Sequence, residues 1–236
     1  MTFFLGSALF AQDTIYFDQH GEKLKSAAQM DYYAVITKAV QDTNQLRIKE
    51  YSKSGQILSD EFYVSYKERT LQGVQKTWYK SGAIRSEIGY EQGKKEGFLL
   101  TYWENGRLKR KDFFKNGKFK KGTCWDEAGN SIAHFDYFIM PEFPGGDRNF
   151  YQYLSKNVRY PLKSYKEKVG GRVIIRFTVE KDGSISNAHV FKGINEELNW
   201  EALRVVKYMP KWTPGKIDGD FARIGYSVPI SFVINH

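Results

Sequence analysis

The residue types that perform catalysis do not occur in a catalytic arrangement along this sequence. It has no G-x-S-x-G turn, no H-E-x-x-H helix, no P-loop and no paired cysteine and histidine. Gly145 and Gly146 precede a predicted helix and could cradle an anion, but the charge of Asp147 would repel a phosphate. Asp147 is therefore predicted to cap that helix, and Glu196 with Glu197 to begin a second one. The sequence predicts a protein that is not an enzyme.

Cysteine and histidine are too sparse to predict a metal site. The single cysteine, Cys124, excludes an intrachain disulfide and a cysteine-based zinc site. The four histidines lie far apart without ligand spacing: His20, His134, His189 and His236. We expect no metal and no cofactor.

Residues 107–121 carry eight basic side chains with phenylalanines among them. The eight are Arg107, Lys109, Arg110, Lys111, Lys115, Lys118, Lys120 and Lys121. One interpretation is a contact surface for anionic lipid headgroups, polysaccharide or single-stranded nucleic acid. The other is the solvent face of a β array, in which lysines prevent edge-to-edge pairing. The export signal described below argues against nucleic acid.

The last strand predicted from the sequence is the clearest candidate for a binding site. Apolar residues alternate over 224–232 and share one face: Ile224, Tyr226, Val228, Ile230 and Phe232. The other face carries Gly225, Ser227, Pro229 and Ser231. Pro229 has no amide proton for a central ladder, so this strand is predicted to lie at a sheet edge. An open edge can add a partner strand; the alternative is a plain edge that Pro229 protects.

The composition is that of a folded chain with a basic surface. The 236 residues are 41% hydrophobic, 16% aromatic and 27% charged, which excludes wholesale disorder and collagen-like repetition. This length allows one large domain or two small ones, and the many aromatic residues favour β structure. Lys and Arg number 36 against 27 Asp and Glu, and the net charge of +9 favours anionic partners.

Residues 1–12 resemble a secretory signal segment. An apolar run over 3–11 ends in small residues and is too short for a bilayer, which needs about 20. The run has the length of a signal-peptide core, with Ala11 as the last residue removed. The alternative is a buried first strand. No basic segment precedes the run, so we expect translation to start upstream of Met1 and the protein to be exported to the periplasm or cell envelope.

Residues 13–140 are predicted to form a module of β-hairpin repeats. An aromatic pair followed by a glycine, at 78–82, recurs 24 positions later at 102–106. A fixed period of this length indicates a stacked array. Turn pairs such as Asn116-Gly117 separate the alternating segments and predict hairpins with positive φ at both turn positions. Over about 50–138 the repeats resemble MORN and MORN-variant repeats.

Residues 141–236 form a second predicted domain, in the order helix, strand, strand, helix, strand. An apolar stripe of spacing four predicts a helix that ends before Tyr160-Pro161. Alternation on either side of Asp182-Gly183 predicts two strands, and Asn195 is predicted to cap a helix. With the last strand, this predicts an α+β domain with a three-stranded antiparallel sheet.

This second domain resembles the TonB carboxy-terminal domain, in the form found in Bacteroidetes-type energy transducers. The motifs that carry the resemblance are PEFPGG at 141–146, Tyr160-Pro161, Gly171-Arg-Val173, Asp182-Gly183-Ser184-Ile185, Ala202-Leu203, Met209-Pro210, Trp212-x-Pro214-Gly215 and Pro229-Ile-x-Phe232. The resemblance implies that the chain binds outer-membrane TonB-dependent receptors in transmembrane transport. It also implies that residues 224–232 pair with the TonB box, a short extended receptor segment, and that Tyr160 and Pro161 flank it.

A complete transducer of this family also has an amino-terminal membrane helix, coupled to proton-motor membrane proteins, and a proline-rich spacer. This sequence has a repeat array in place of the spacer and six prolines in all. Motor proteins are therefore expected partners only if a membrane anchor lies upstream. The alternative function is a structural cell-envelope protein whose basic repeats bind anionic lipid or polysaccharide.

Overall fold

The computed structural model describes residues 10–19, 21, 23–39 and 44–234 of the chain. It separates into two compact units, Met1–His134 and Phe135–His236. Of the predicted signal segment, residues 1–9 lie outside the described residues, and residues 10–12 begin the first strand. No described helix has the length and apolar character that crossing a membrane requires.

The amino-terminal unit is an antiparallel sheet. Its strands are β1 (Phe10–Phe17), β2 (Lys23–Leu24), β3 (Tyr32–Ala39), β4 (Leu46–Ser52), β5 (Ile57–Ser65), β6 (Thr70–Leu71), β7 (Gly73–Trp78), β8 (Ile84–Glu91), β9 (Lys94–Tyr102), β10 (Leu108–Lys115), β11 (Lys118–Trp125) and β12 (Ser131–Ile132). A 3-10 helix, Ala27–Gln29, precedes β3. Over the described ranges the strand order is β12-β11-β10-β9-β8-β7-β5-β4-β3-β1-β2, and β6 pairs with β5. Neighbours in sequence are mostly neighbours in the sheet, which confirms the all-β antiparallel prediction.

One turn recurs in this sheet at intervals of 27, 24 and 23 residues, close to the 24-residue sequence repeat. A glycine with positive φ donates its amide proton to the carbonyl three residues earlier, at 2.9–3.0 Å, at Gly55, Gly82, Gly106 and Gly129. The predicted turn with two positive φ angles occurs at Asn116 (φ 51°) and Gly117 (φ 75°). At Asn105-Gly106 the glycine alone is left-handed. The structure therefore shows hairpins of repeated geometry, and the likeness to MORN repeats stays an interpretation.

The more buried face of this sheet is lined by polar side chains. A cross-strand row of register partners runs through Ser59, Thr77, Ser86, Thr101, Arg110 and Cys124. Arg110 and Cys124 are both fully buried. The Arg110 guanidinium forms an ion pair with Asp112, at 2.9 Å between Nη1 and Oδ2. A buried charge needs such a partner, because burial removes its hydration.

The carboxy-terminal unit combines helices with two small sheets. The helices are α1 (Gly146–Asn157), α2 (Leu162–Lys166) and α3 (Glu196–Lys207). The strands are β13 (Phe138–Ile139), β14 (Gly171–Val179), β15 (Ile185–Lys192), β16 (Lys216–Ile217), β17 (Asp220–Phe221) and β18 (Ile224–Phe232). In the described part of the chain, one three-stranded sheet has the order β15-β14-β18 and the other β13-β16-β17.

The predicted helix-strand-strand-helix-strand order and three-stranded antiparallel sheet are both present. The sequence analysis missed α2 and the β13-β16-β17 sheet, because five-residue helices and two-residue strands are too short to show a periodicity. Phe138 and Ile139 pair with Ile217 and Lys216. The carboxy-terminal unit therefore begins before residue 141, where the sequence placed the boundary.

The two long helices of this unit begin differently. Asn195 caps α3 as predicted, since its side chain accepts a hydrogen bond of 2.9 Å from the amide of Leu198. The prediction that Asp147 caps α1 is wrong. The N-cap of α1 is Gly145, with a φ of 78° that favours glycine, so Asp147 lies within the first helical turn.

Aromatic side chains dominate the core of the carboxy-terminal unit. Trp212 is 4% exposed, and its ring lies 5.7 Å from that of Phe150 on α1 and 4.9 Å from that of Tyr226 on β18. Phe143 and Phe177 complete the cluster at 5.6 Å each. This cluster therefore sets where α1 lies against the sheet.

Candidate functional site

Strand β18 is an open and regular edge of the sheet. It pairs with β14 through nine successive register partners, from Ile224 opposite Val179 to Phe232 opposite Gly171, with no shift. Within the described residues it has no strand on its other side. The prediction that Pro229 marks an edge strand is confirmed.

The opposite edge, strand β15, is irregular. Its pairing with β14 shifts twice, once between Ile174 and Ile175 and once between Arg176 and Thr178. Asn187 within β15 has a φ of 51°, a left-handed conformation inside a strand. Bulges twist an edge and discourage the addition of another strand. Of the two edges, β18 is the one suited to accept a partner.

The two faces of β18 differ as the sequence predicted. Ile224, Val228, Ile230 and Phe232 are buried and Tyr226 is half-buried, whereas Gly225, Ser227, Pro229 and Ser231 are exposed. The ladder passes through Pro229, opposite Ile174, without a break. An imino nitrogen facing β14 would leave a ladder acceptor unpaired, so we expect Pro229 and the residues in its phase to face the open side. Ser227 and Ser231 then keep free donors there.

An apolar groove lies beside the carboxy-terminal half of this edge. It has a volume of about 400 Å³, with α1 as one wall and β18 as the other. The residues that line it are Tyr151, Leu154, Ser155, Val158, Tyr160, Pro229, Ile230, Ser231, Phe232 and Val233. Tyr151 and Val233 are each 68% exposed, which is unusual for side chains of this size. The groove can accept the side chains of a strand paired to β18.

The two predicted flanking residues have different positions. Tyr160 lines the groove; its hydroxyl donates to the carbonyl of Val169 at 2.9 Å, and its ring meets Phe232 edge-on at 5.6 Å. Pro161 instead forms the N-cap of α2. Tyr160 is therefore held rigidly beside the end of β18, and Pro161 directs the chain away from it.

The groove includes residues that sequence reasoning assigned elsewhere. Leu154 and Val158 belong to the apolar stripe that predicted the helix α1, and Tyr151 and Val233 were not singled out. The available signal was the aromatic residue Tyr151, one helical turn before Leu154 on the same side of the helix. Burial, and then the negative charge of Asp147, raises the pKa of Tyr226, so this phenol stays neutral. The site offers backbone hydrogen bonds and apolar contact.

Two of the predicted cationic surface residues are buried in the amino-terminal unit. Arg110 is 0% exposed and paired with Asp112, and Lys109 is 5% exposed with its Nζ 4.4 Å from the ring centre of Trp103. These two cannot contact an anionic surface. The physical reason is the irregular register between Leu108 and Arg110, which departs from simple alternation.

The other basic residues of 107–121 remain exposed, and some have partners. Arg107 donates to the carbonyls of Glu127 and Ala128, and the Nζ of Lys111 lies 4.9 Å from the ring centre of Phe98. Lys115 lies 3.9 Å from a carboxylate oxygen of Glu96. Lys118, Lys120 and Lys121 on β11 are exposed. The cationic surface is thus smaller than the sequence implied.

The carboxy-terminal part of the chain matches a known protein family. Residues 156–234 match the family model described as the Gram-negative bacterial TonB protein C-terminal. Two NMR solution structures of the TonB carboxy-terminal domain from Helicobacter pylori are each 24% identical to this chain. One covers 38% of this chain and 94% of that chain with a TM-score of 0.30, and the other 39% and 88% with 0.31. No curated protein matches. The matched segment contains Tyr160 and the whole of β18.

Proposed function

We propose that this chain is a TonB-like protein of the periplasm or cell envelope, not an enzyme, which binds outer-membrane TonB-dependent receptors in transmembrane transport. The observation that carries the proposal is the unbroken open edge of β18 beside an apolar groove. This edge lies within the segment that matches the TonB family model. The receptor's extended TonB-box segment adds to β18 as a further strand.

Backbone hydrogen bonds supply most of the binding. Ser227 and Ser231 donate on the open side, while Pro229 offers a carbonyl and no donor. Each bond contributes about 0.5–1.5 kcal/mol net, from which the ordering of the partner segment must be subtracted. Affinity is therefore weak, and partner sequences can vary because main-chain groups are shared by all residues.

Side chains of the added strand contribute the remaining selectivity. Alternate residues of the partner lie towards the groove between Tyr151 and Tyr160, and the others lie over the small side chains of Ser227 and Ser231. Apolar residues at alternate positions of the segment are therefore preferred.

Removing one donor from the open side tests this mechanism. A semisynthetic full-length protein with an N-methylated amide at Ser231 should still fold. It should bind a synthetic TonB-box peptide about 2- to 13-fold more weakly, which corresponds to the loss of one hydrogen bond. The methyl group also blocks close approach of the added strand. Isothermal titration calorimetry measures the affinity, and circular dichroism measures folding.

Two controls make the result specific. Ser231→Ala removes the hydroxyl but keeps the amide, and should leave the affinity within about twofold, since the backbone makes the contact. N-methylation of Ala188 on the bulged edge of β15 should also leave binding unchanged in a folded protein. A folded Ser231-methylated protein that binds the peptide with unchanged affinity would contradict strand addition at β18.

A second candidate function keeps some support from the amino-terminal unit. Exposed Lys118, Lys120 and Lys121 lie beside Phe119, which is 47% exposed. This cluster favours a structural envelope protein that holds anionic lipid or polysaccharide.

Ionic strength separates the two functions. Binding to phosphatidylglycerol vesicles by these lysines should weaken steeply as salt rises towards 0.5 M, because the Debye length falls well below about 10 Å. Peptide addition to β18 should change little. Cosedimentation and calorimetry at matched salt concentrations measure the two responses, and salt-insensitive vesicle binding would contradict the lysine contact.

A further inference from the structure

The more exposed face of the amino-terminal sheet carries a row of three tyrosines. Tyr16 on β1 is the register partner of Tyr33 on β3, and Tyr33 is the partner of Tyr51 on β4. The rings of Tyr33 and Tyr51 stack with centroids 5.2 Å apart and 18° between their planes. Tyr33 packs on one face of the Tyr51 ring and so holds Tyr51 in place, and Tyr51 also lines the groove described below.

Two cations lie next to this row on the same face. Arg47 makes two hydrogen bonds of 2.5 Å to Asp60, and Lys49 Nζ lies 3.9 Å from the same carboxylate. Two positive charges share one negative charge, so a positive charge is left at this position. The side chains of Arg47 and Lys49 are 54% and 38% exposed, whereas that of Asp60 is 11% exposed. Hydrogen bonding to Asp60 raises the pKa of Arg47, which stays charged.

A groove of about 480 Å³ joins these groups. Tyr51 and Phe62 give it aromatic surface, Gln12 and Thr37 give it amide and hydroxyl groups, and Arg47 and Lys49 give it charge. Each kind of group has a counterpart on an acidic sugar. An aromatic ring packs on the C–H face of a pyranose, polar side chains bond to hydroxyls, and a cation pairs with a carboxylate.

We propose that this groove binds an acidic saccharide, a pyranose that packs against Tyr51 and Phe62 and whose carboxylate pairs with Lys49 and Arg47. The receptor-binding function proposed above uses the other unit, and the second candidate uses lysines of β11; neither involves this groove. A lipid surface is the poorer occupant, because Tyr51 and Phe62 are half-buried and cannot insert among acyl chains. Arg47 and Lys49 together carry one more positive charge than Asp60 neutralises, and this net charge favours sugars with a carboxylate over neutral sugars.

The full-length protein should bind oligomers of polygalacturonate and not their carboxyl-reduced, neutral form. Lys49→Gln and Tyr51→Ala should each lower the affinity at least about fivefold, the equivalent of one good contact. Tyr51→Phe keeps the ring and should retain binding. Affinity electrophoresis or calorimetry measures binding, and thermal unfolding checks that each variant folds.

The neighbouring strand β3 offers matched controls on the opposite face of the sheet. Lys38 pairs with Asp13 at 2.6 Å, and the ring of Tyr32 stacks on that of Phe17 at 5.0 Å. Lys38→Gln and Tyr32→Ala should leave saccharide affinity within about twofold, since neither reaches the groove. Competition by free galacturonate supports a site for a single sugar, and competition by oligomers alone supports one for a polymer; both support the ligand class.

Four results would overturn the proposal. They are equal binding of the neutral polymer, no binding of polygalacturonate, equal loss in Lys38→Gln and Lys49→Gln, and folded Lys49→Gln and Tyr51→Ala variants with unchanged affinity. Binding of phosphatidylglycerol vesicles that depends on Lys49 and Tyr51, without polygalacturonate binding, would assign the face to lipid instead.

Discussion

Replacing Arg110 with methionine should lower the free energy of unfolding of the amino-terminal unit by about 3–5 kcal/mol. Arg110 is fully buried and Asp112 is 1% exposed, so the variant leaves the Asp112 carboxylate buried without its cation. The carboxylate keeps its hydrogen bond to His134, at 2.9 Å between Oδ1 and Nε2. Urea unfolding followed by circular dichroism measures the loss. Hydrogen exchange of β10 peptides assigns it to this unit.

Two further variants show whether the charge is responsible. Lys111→Met changes the neighbouring, exposed residue of the same strand and should alter stability by less than about 0.5 kcal/mol. Arg110→Met combined with Asp112→Leu removes both charges and should recover most of the loss, because buried pairs are often replaceable by apolar residues. A single Arg110→Met variant as stable as the native protein would show that Asp112 is hydrated rather than buried.

Replacing Trp212 with alanine should destabilise the carboxy-terminal unit by about 3–5 kcal/mol. Trp212 is 4% exposed and packs between Phe150 of α1 and Tyr226 of β18. The cavity therefore loosens both walls of the groove beside β18. Urea unfolding measures the stability, and titration at low temperature, where the variant is still folded, should also show weaker peptide binding.

Trp212→Phe is the matched control for this cavity. The indole Nε1 is buried and finds no hydrogen-bond partner among the described residues. Replacement by phenylalanine therefore reduces the buried apolar surface but removes no hydrogen bond. Its stability loss should be less than half that of the alanine variant. If the two variants lose equal stability, the indole nitrogen has a partner, such as an ordered water, and packing is not the main contribution.

The edge position of β18 could be predicted because its signals are local. Alternation over 224–232 assigns the faces, and the missing amide proton of Pro229 excludes a central strand. The irregularity of β15 could not be predicted. Asn187 adopts a positive φ inside a strand without a glycine to indicate it, and register shifts depend on the partner strand. The comparison that favours β18 over β15 therefore needed the structure.

Sequence alone determined the β-hairpin character of the amino-terminal half, the order of the long helices and strands of the carboxy-terminal half, and the faces of the last strand. These follow from periodicity and turn chemistry, which act between residues close in the chain. Tertiary structure decided which basic residues reach solvent, because a bulge before Arg110 turns Lys109 and Arg110 into the sheet. It also decided that α1 and β18 enclose a groove, and that Arg47, Lys49 and Tyr51 meet Gln12 and Phe62 on one face. Contacts between distant segments depend on packing and register, which no local pattern in this sequence specifies.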